Sequence, residues 1–91
     1  MKTIRIKKGF VLESVGGAYL ACATGKLAKN FSALIRLNET GAFLWNKLTE
    51  SNMAFDMLVD ALIEEYGISR EVAAADTERF VNSLKENGIL E

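Results

Sequence analysis

The sequence LNETGAFLW, residues 37–45, marks a sharp change from strand to helix. Asn38 is a favourable N-cap, because its side chain can accept a hydrogen bond from a free amide of the first helical turn. Glu39 in that turn suits the positive end of the helix dipole, and Gly41 permits another element to approach closely. We therefore predict a strand that ends at this junction and a helix that runs from about Glu39 to Thr49.

Upstream of the junction, the sequence has the composition of short strands. Residues 10–15 and 18–23 are rich in strand-forming residues, and Gly16-Gly17 between them is typical of a two-residue hairpin turn. A third strand is predicted at residues 31–37, where apolar and polar side chains alternate imperfectly. An earlier strand at residues 3–7 has weaker support.

Downstream of the junction, the sequence predicts two further helices. Ser51-Asn52 is predicted to cap a second helix, whose apolar residues recur at helical spacing until Gly67 ends it. Ser69 is predicted to cap a third helix over residues 70–87, which Gly88 ends. The apolar stripe of this third helix is predicted to contain Ala73, Thr77, Phe80, Val81 and Leu84. The order indicates an α+β fold, with a three-stranded antiparallel sheet followed by three helices.

The composition allows one small domain and gives little support to catalysis. The chain has 91 residues, which we predict to form a single domain over residues 1–91. It has no histidine, and Cys22 is its one cysteine, which argues against a Cys/His zinc site and against histidine acid–base catalysis. The glycine motifs of phosphate-binding loops are also missing. We therefore expect a non-catalytic protein with no metal and no cofactor.

The sequence carries no feature of secretion or of membrane insertion. No apolar run is long enough to cross a bilayer, and the N-terminus lacks the apolar stretch of a signal peptide. A single cysteine gives no indication of an oxidising compartment. We expect a cytoplasmic protein that has no membrane partner.

The third strand and the third helix are the elements that suggest a binding role. If the first two strands form the hairpin, the third strand can present an open edge, to which a peptide could add as a further strand. On a helical projection, Asp76, Ser83 and Asn87 flank the buried stripe of the third helix and could line a groove with that edge. Apolar pockets near Phe80 and Leu84 would then give specificity. The alternative is an edge that the chain itself covers.

Four motifs follow one another along the chain. They are the glycine hairpin after Phe10-Val11-Leu12, the junction Leu37-Asn38-Glu39-Thr40-Gly41 with Trp45, the helix stop Tyr66-Gly67, and the pattern Asp76, Phe80, Leu84 with Gly88-Ile89-Leu90. Together they resemble the PqqD-like proteins, the family of pyrroloquinoline quinone biosynthesis protein D. The individual motifs are moderately specific, and their order and spacing carry the resemblance from about Lys8 to Leu90.

The resemblance implies a winged-helix-like domain that acts as a precursor-peptide recognition element, or peptide chaperone. It implies that the leader segment of a ribosomally made precursor pairs with the third strand and lies against the third helix. The residues that it assigns to peptide binding are Ala33, Leu34, Ile35, Arg36, Asp76, Arg79, Phe80 and Ser83. The implied partner is a radical S-adenosylmethionine enzyme or another peptide-modifying enzyme, in a pathway that the motifs do not specify.

Two alternatives belong to other functional classes. A winged-helix fold could bind DNA, but the third helix carries more acidic than basic residues, which disfavours contacts with phosphates. The residues compared are Arg70, Arg79 and Lys85 against Glu71, Asp76, Glu78 and Glu86. A structural or oligomerising subunit is the other alternative, because charged termini and an open edge suit a homodimer.

Overall fold

The computed structural model describes residues 2–24 and 35–91. Within these ranges, five strands and three helices follow one another along the chain. The strands are β1 (Thr3–Ile4), β2 (Phe10–Val15), β3 (Ala18–Ala23), β4 (Ile35–Leu37) and β5 (Met53–Ala54). The helices are α1 (Glu39–Glu50), α2 (Phe55–Tyr66) and α3 (Arg70–Glu86). The predicted α+β fold, with a three-stranded antiparallel sheet followed by three helices, is confirmed.

The main sheet has the strand order β2-β3-β4, and both strand pairs are antiparallel. Gly16 and Gly17 connect β2 to β3 as predicted, and their φ angles of 56° and 83° are those that a tight two-residue turn requires. β4 belongs to the third predicted strand, of which residues 31–34 lie outside the described ranges. Since side chains alternate between the two faces of a sheet, one face directs Ala21 and Leu37 into the core.

The short strand β1 pairs with β5 and not with the main sheet. The chain that follows β1 contacts the C-terminal residues, because Ile6 forms a β-bridge with Leu90. Next to this bridge, the Lys7 amide donates a hydrogen bond of 2.7 Å to the Ile89 carbonyl. The weakly predicted strand at residues 3–7 is therefore present as β1 and the bridge after it.

The first and third helices begin where the sequence predicts. The Asn38 side chain accepts a hydrogen bond of 2.8 Å from the Gly41 amide and caps α1. The Ser69 hydroxyl accepts one of 3.2 Å from the Val72 amide and caps α3. The predicted end of α2 is also confirmed, since Gly67 is its C-cap.

The predicted start of α2 is wrong. Ser51 ends α1 instead, and its amide donates a hydrogen bond of 3.2 Å to the Lys47 carbonyl. The helix begins at Phe55 after Ala54, whose side chain makes no capping hydrogen bond. The reason is a long-range contact, because the two residues of β5 pair with β1 before the helix can start.

The core lies between the inner face of the sheet and the three helices. Trp45 is its largest fully buried side chain and is 2% exposed. The predicted stripe of α3 is buried at Ala73, Thr77, Phe80 and Leu84, and Val81 is half-buried. The one buried polar side chain among the described residues is Thr77, whose hydroxyl donates a hydrogen bond of 2.8 Å to the Ala73 carbonyl. Its polar group is therefore satisfied inside the core.

Candidate functional site

A cavity of about 250 Å³ lies between β4 and the last helix, α3. We call this cavity the groove. Its lining consists of Arg36, Leu37, Asn38, Gly41, Asp76, Arg79, Phe80 and Ser83. Half of these residues come from α3, and the others come from β4 and from the junction between β4 and α1.

The groove brings together most of the residues that the resemblance assigns to peptide binding. Arg36 lines it from β4, and Asp76, Arg79, Phe80 and Ser83 line it from α3. Ile35 lies on β4 beside the groove, where it packs against the core. The remaining two, Ala33 and Leu34, lie outside the described ranges. The structure shows that five of the eight residues line one groove. Their role in peptide binding stays a prediction.

The sequence indicates Leu37, Asn38 and Gly41 as a junction between strand and helix and not as residues of the site. Asn38 and Gly41 form the cap of α1, a structural role that accounts for them without a ligand. Their place in the chain could have included them, because a segment that directly follows an edge strand must lie at the end of any groove beside that edge.

The α3 side of the groove is one face of the helix. Asp76, Arg79, Phe80 and Ser83 have the i, i+3, i+4, i+7 spacing that places side chains above one another. We call these four residues the α3 wall. Phe80 and, from β4, Leu37 are only 4% and 7% exposed, so the groove has an apolar floor beneath polar side chains.

The β2–β3 turn determines which backbone groups of β3 face β4. In a two-residue hairpin, the carbonyl of Val15 and the amide of Ala18 join across the turn. Hydrogen-bonding pairs then alternate along antiparallel strands. Every second residue of β3 from Ala18 therefore directs its amide and carbonyl to β2, and the residues between, including Tyr19 and Ala21, direct theirs to β4.

This alternation leaves the backbone of Arg36 facing away from β3. Tyr19 lies opposite Leu37 and Ala21 lies opposite Ile35, so these two pairs exchange the hydrogen bonds between β3 and β4. Arg36 lies between them, and its amide and carbonyl point to the other side of β4. Within the described ranges no strand pairs with that side. Among the described residues, this side of β4 is therefore an unpaired strand edge.

The polar rim of the α3 wall contains an ion pair. The Arg79 guanidinium donates a hydrogen bond to the Asp76 carboxylate. The Asp76 side chain is 14% exposed and the Arg79 side chain 72% exposed. The two charges compensate each other, so the α3 wall by itself is close to neutral.

The cap of α1 closes one end of the groove. The Asn38 carboxamide oxygen accepts hydrogen bonds from the Gly41 amide at 2.8 Å and from the Thr40 hydroxyl at 3.0 Å. A Cβ at Gly41 would lie 3.1 Å from that oxygen and 3.3 Å from the Leu37 Cβ. Glycine is therefore the residue that lets the cap and the strand meet so closely.

A second, smaller cavity of about 140 Å³ lies between α1 and α2. Beside it, the Phe43 and Tyr66 rings meet edge to face at 5.6 Å, and Lys47 Nζ lies 5.4 Å from the Phe43 ring centre. Burial raises the pKa of Tyr66, and the nearby carboxylates of Glu39 and Glu65 raise it further. None of these groups touches the groove.

The described residues do not assemble other familiar sites. Within residues 2–24 and 35–91, no three His, Cys, Asp or Glu side chains converge as metal ligands. None of the helices there is both long enough and apolar enough to cross a membrane. The groove itself combines an open backbone edge, an apolar floor and an ion pair, which are the features that hold an extended polypeptide.

Comparison with solved structures shows two chains of the same fold. One is TbiB1 in complex with the TbiA(beta) leader peptide, at 21% identity and a TM-score of 0.72, covering 96% of this chain and 94% of that one. The other is lasso peptide synthetase B1 complexed with the leader peptide, at 23% identity and a TM-score of 0.72, covering 97% and 96%. A search of curated proteins finds no similar sequence.

Comparison with family models gives a match over nearly the whole chain. The model of coenzyme PQQ synthesis protein D (PqqD) matches residues 10–90. These bounds agree with the resemblance predicted from about Lys8 to Leu90, which is thereby confirmed. They include the groove and every element around it. The chain belongs to the PqqD family.

Proposed function

We propose that this chain is a non-catalytic module that binds the leader segment of a ribosomally made precursor peptide and presents it to a modifying enzyme. The observation that carries the proposal is the groove between the open edge of β4 and the α3 wall. TbiB1 and lasso peptide synthetase B1, which share the fold, were solved with leader peptides bound. Those complexes support peptide binding as the role of the groove in this chain.

The open edge supplies the main interaction by strand addition. A peptide that lies beside β4 would exchange backbone hydrogen bonds with the amide and carbonyl of Arg36. Such main-chain bonds give affinity without demanding a particular sequence, and the pockets beside them give selectivity. The short β4 would thereby gain a partner on its second side.

The α3 wall fits a short extended segment. Asp76 and Ser83 are about two helical turns apart, or about 10 Å along the axis. That length matches about three residues of extended peptide. Alternate side chains of this segment would meet Phe80 and Leu37, whose low exposure makes the floor of the groove apolar.

The modification itself would be the task of a separate protein. The family resemblance supports a radical S-adenosylmethionine enzyme or another peptide-modifying enzyme as that partner. A homodimer formed through β4 would use the same edge as the peptide. The two states would then compete, so sedimentation with and without peptide belongs to the test.

A proline substitution in β4 tests the proposal. The probe is a fluorescent leader peptide from the precursor gene that neighbours the gene for this chain, titrated while its anisotropy is measured. Arg36→Pro removes the outward amide but is compatible with an edge strand, because proline is accepted where the missing donor faces away from the sheet. We expect at least tenfold weaker binding.

Two controls separate the edge from other effects. Arg36→Ala keeps the amide and should weaken binding by about fivefold at most. Circular dichroism and thermal melting should show that the proline variant is folded. If folded Arg36→Pro binds the leader as tightly as the wild type, strand addition at β4 is wrong.

A further inference from the structure

We propose that the bound peptide carries an acidic residue at the position directly opposite Arg36, with an apolar residue on each side of it. This inference rests on the proposed function, which it deepens by naming the chemistry of the recognised segment. It follows from the register of the sheet and from the charges on its two faces.

The register of the sheet determines the direction of the Arg36 side chain. Arg36 lies directly opposite Leu20 in the β3–β4 register, so the two side chains are on the same face of the sheet. Its neighbours in the chain, Ile35 and Leu37, are on the other face and pack into the core. The Arg36 side chain therefore leaves the strand from the outer face, while its amide and carbonyl face the open edge.

A peptide strand added at β4 would place one of its residues directly opposite Arg36. A peptide residue opposite Arg36 would point its side chain to the same outer face, since directly opposed residues share a face in parallel and antiparallel pairs alike. Its Cβ would lie about 5 Å from the Arg36 Cβ. The peptide residue opposite Arg36 therefore lies on the outer face whichever way the peptide runs.

The charge of Arg36 has no paired carboxylate within the described ranges. Arg36 is exposed and forms no ion pair with the described part of the chain. In the same cross-strand row, the nearest carboxylate is that of Glu13, which lies opposite Leu20 on β2. Glu13 is two strands away from Arg36, about 10 Å, whereas an added strand would lie about 4.8 Å away. A carboxylate on the peptide would therefore lie closer to Arg36 than the Glu13 carboxylate does.

The two peptide residues next to the acidic one would meet a different surface. They would point to the inner face, toward Phe80 and Leu37 on the groove floor. The charges of Asp76 and Arg79 already compensate each other, so the α3 wall does not need a charged peptide side chain for compensation. An apolar side chain on both sides of the acidic residue suits this environment.

A selection from random peptides tests the inference without knowledge of the natural precursor. A displayed library of random decapeptides is selected on the wild type, on Arg36→Glu and on Lys8→Glu. Lys8→Glu is the matched control, because the same charge change then occurs at an exposed turn before β2, the other edge strand of the sheet.

The expected result is a change of charge preference that follows Arg36. Peptides selected on the wild type and on Lys8→Glu should have Asp or Glu at one position between two apolar residues, and those selected on Arg36→Glu should have Lys or Arg there. For a selected peptide, Glu→Gln at that position should weaken binding by about two- to fivefold, a typical effect for a cross-strand ion pair. Added salt should reduce this difference.

The outcomes distinguish this inference from the function on which it rests. Selected peptides with no charge preference, or with a preference that Arg36→Glu leaves unchanged, would overturn the inference and leave peptide binding intact. If the wild type, Arg36→Glu and Lys8→Glu are all folded and none of them enriches any peptide, both the inference and the proposed function are overturned.

Discussion

The Asp76 carboxylate and the Arg79 guanidinium form an ion pair whose two members differ strongly in exposure, 14% against 72%. The carboxylate is mostly removed from water and so depends on its partner for compensation. The guanidinium is mostly hydrated and would lose little if it were released. At the rim of the α3 wall, the pair therefore connects a half-buried groove residue, Asp76, with a solvent-exposed one, Arg79.

Removing Arg79 should cost more than removing the cation of an exposed pair. Arg79→Gln leaves a poorly hydrated carboxylate without its partner, and we expect a loss of about 1 kcal/mol in the free energy of unfolding. The matched control is Arg70→Gln. Arg70 pairs with Asp60 at 2.6 Å, and both side chains are more than 60% exposed, so a loss of at most about 0.5 kcal/mol is expected. Urea denaturation measures both, and equal losses would contradict the argument.

Gly41→Ala should destabilise the protein although alanine is the better helix former. Relief of the glycine penalty would add about 1 kcal/mol in an ordinary helix. Here the new Cβ would approach the Asn38 oxygen to 3.1 Å and displace the cap of α1, so a net loss of about 1 kcal/mol is expected. In an Asn38→Ala background, the same change should be less harmful. Thermal melting of the four proteins gives the answer, and a more stable Gly41→Ala protein would refute this account.

Phe80→Leu should affect both stability and peptide binding, because Phe80 belongs to the core and to the groove floor. Its side chain is 4% exposed, and the smaller residue leaves a partial cavity that should cost about 1 to 2 kcal/mol. Val72→Ala on the same helix is the control, since Val72 is 49% exposed and should change stability by at most about 0.5 kcal/mol. Chemical denaturation and leader-peptide titration test the two effects separately. A folded Phe80→Leu protein with unchanged affinity would show that the floor makes no contact with the peptide.

Lys7→Pro should loosen the contact between the N-terminal segment and the end of the chain. The Lys7 amide donates a hydrogen bond of 2.7 Å to the Ile89 carbonyl, and proline has no such donor. We expect a loss of about 1 to 2 kcal/mol, whereas Lys7→Ala keeps the amide and should have little effect. Hydrogen exchange of the Glu91 amide, which donates a hydrogen bond of 3.0 Å to the Arg5 carbonyl, should become faster in the proline variant alone. Unchanged exchange would mean that this hydrogen bond does not hold the segment.

Tyr66 should make the protein less stable in alkali. Its pKa in the folded state is raised by burial and by nearby carboxylates, so the folded protein keeps a proton that the unfolded chain releases near pH 10, about the ordinary value. This contribution is fully present below about pH 10 and is lost as the pH rises through the folded-state pKa. Tyr66→Phe keeps the ring beside Phe43 and should show a smaller loss of stability between pH 9 and pH 11. Equal losses would remove Tyr66 as a cause.

The sequence alone determined the turns, helix caps and helix ends that depend only on neighbouring residues. The Gly16-Gly17 turn, the Asn38 cap and the stop at Gly67 each need only residues within one turn of themselves, so they could be predicted before any tertiary contact was known. The stripe through Phe80 and Leu84 likewise predicted which face of α3 is buried. The motifs around these positions also carried the resemblance to the family.

Tertiary contacts decided what neighbouring residues could not. The start of α2 moved to Phe55 because β5 pairs with β1, which is some fifty residues earlier in the chain. The sequence placed Arg36 on an edge strand. The register with β3 decided that its backbone amide and carbonyl point to the open edge and that its side chain lies on the face of the sheet away from the core. The groove likewise depends on α3 packing beside β4, and such long-range contacts have no trace in local propensity.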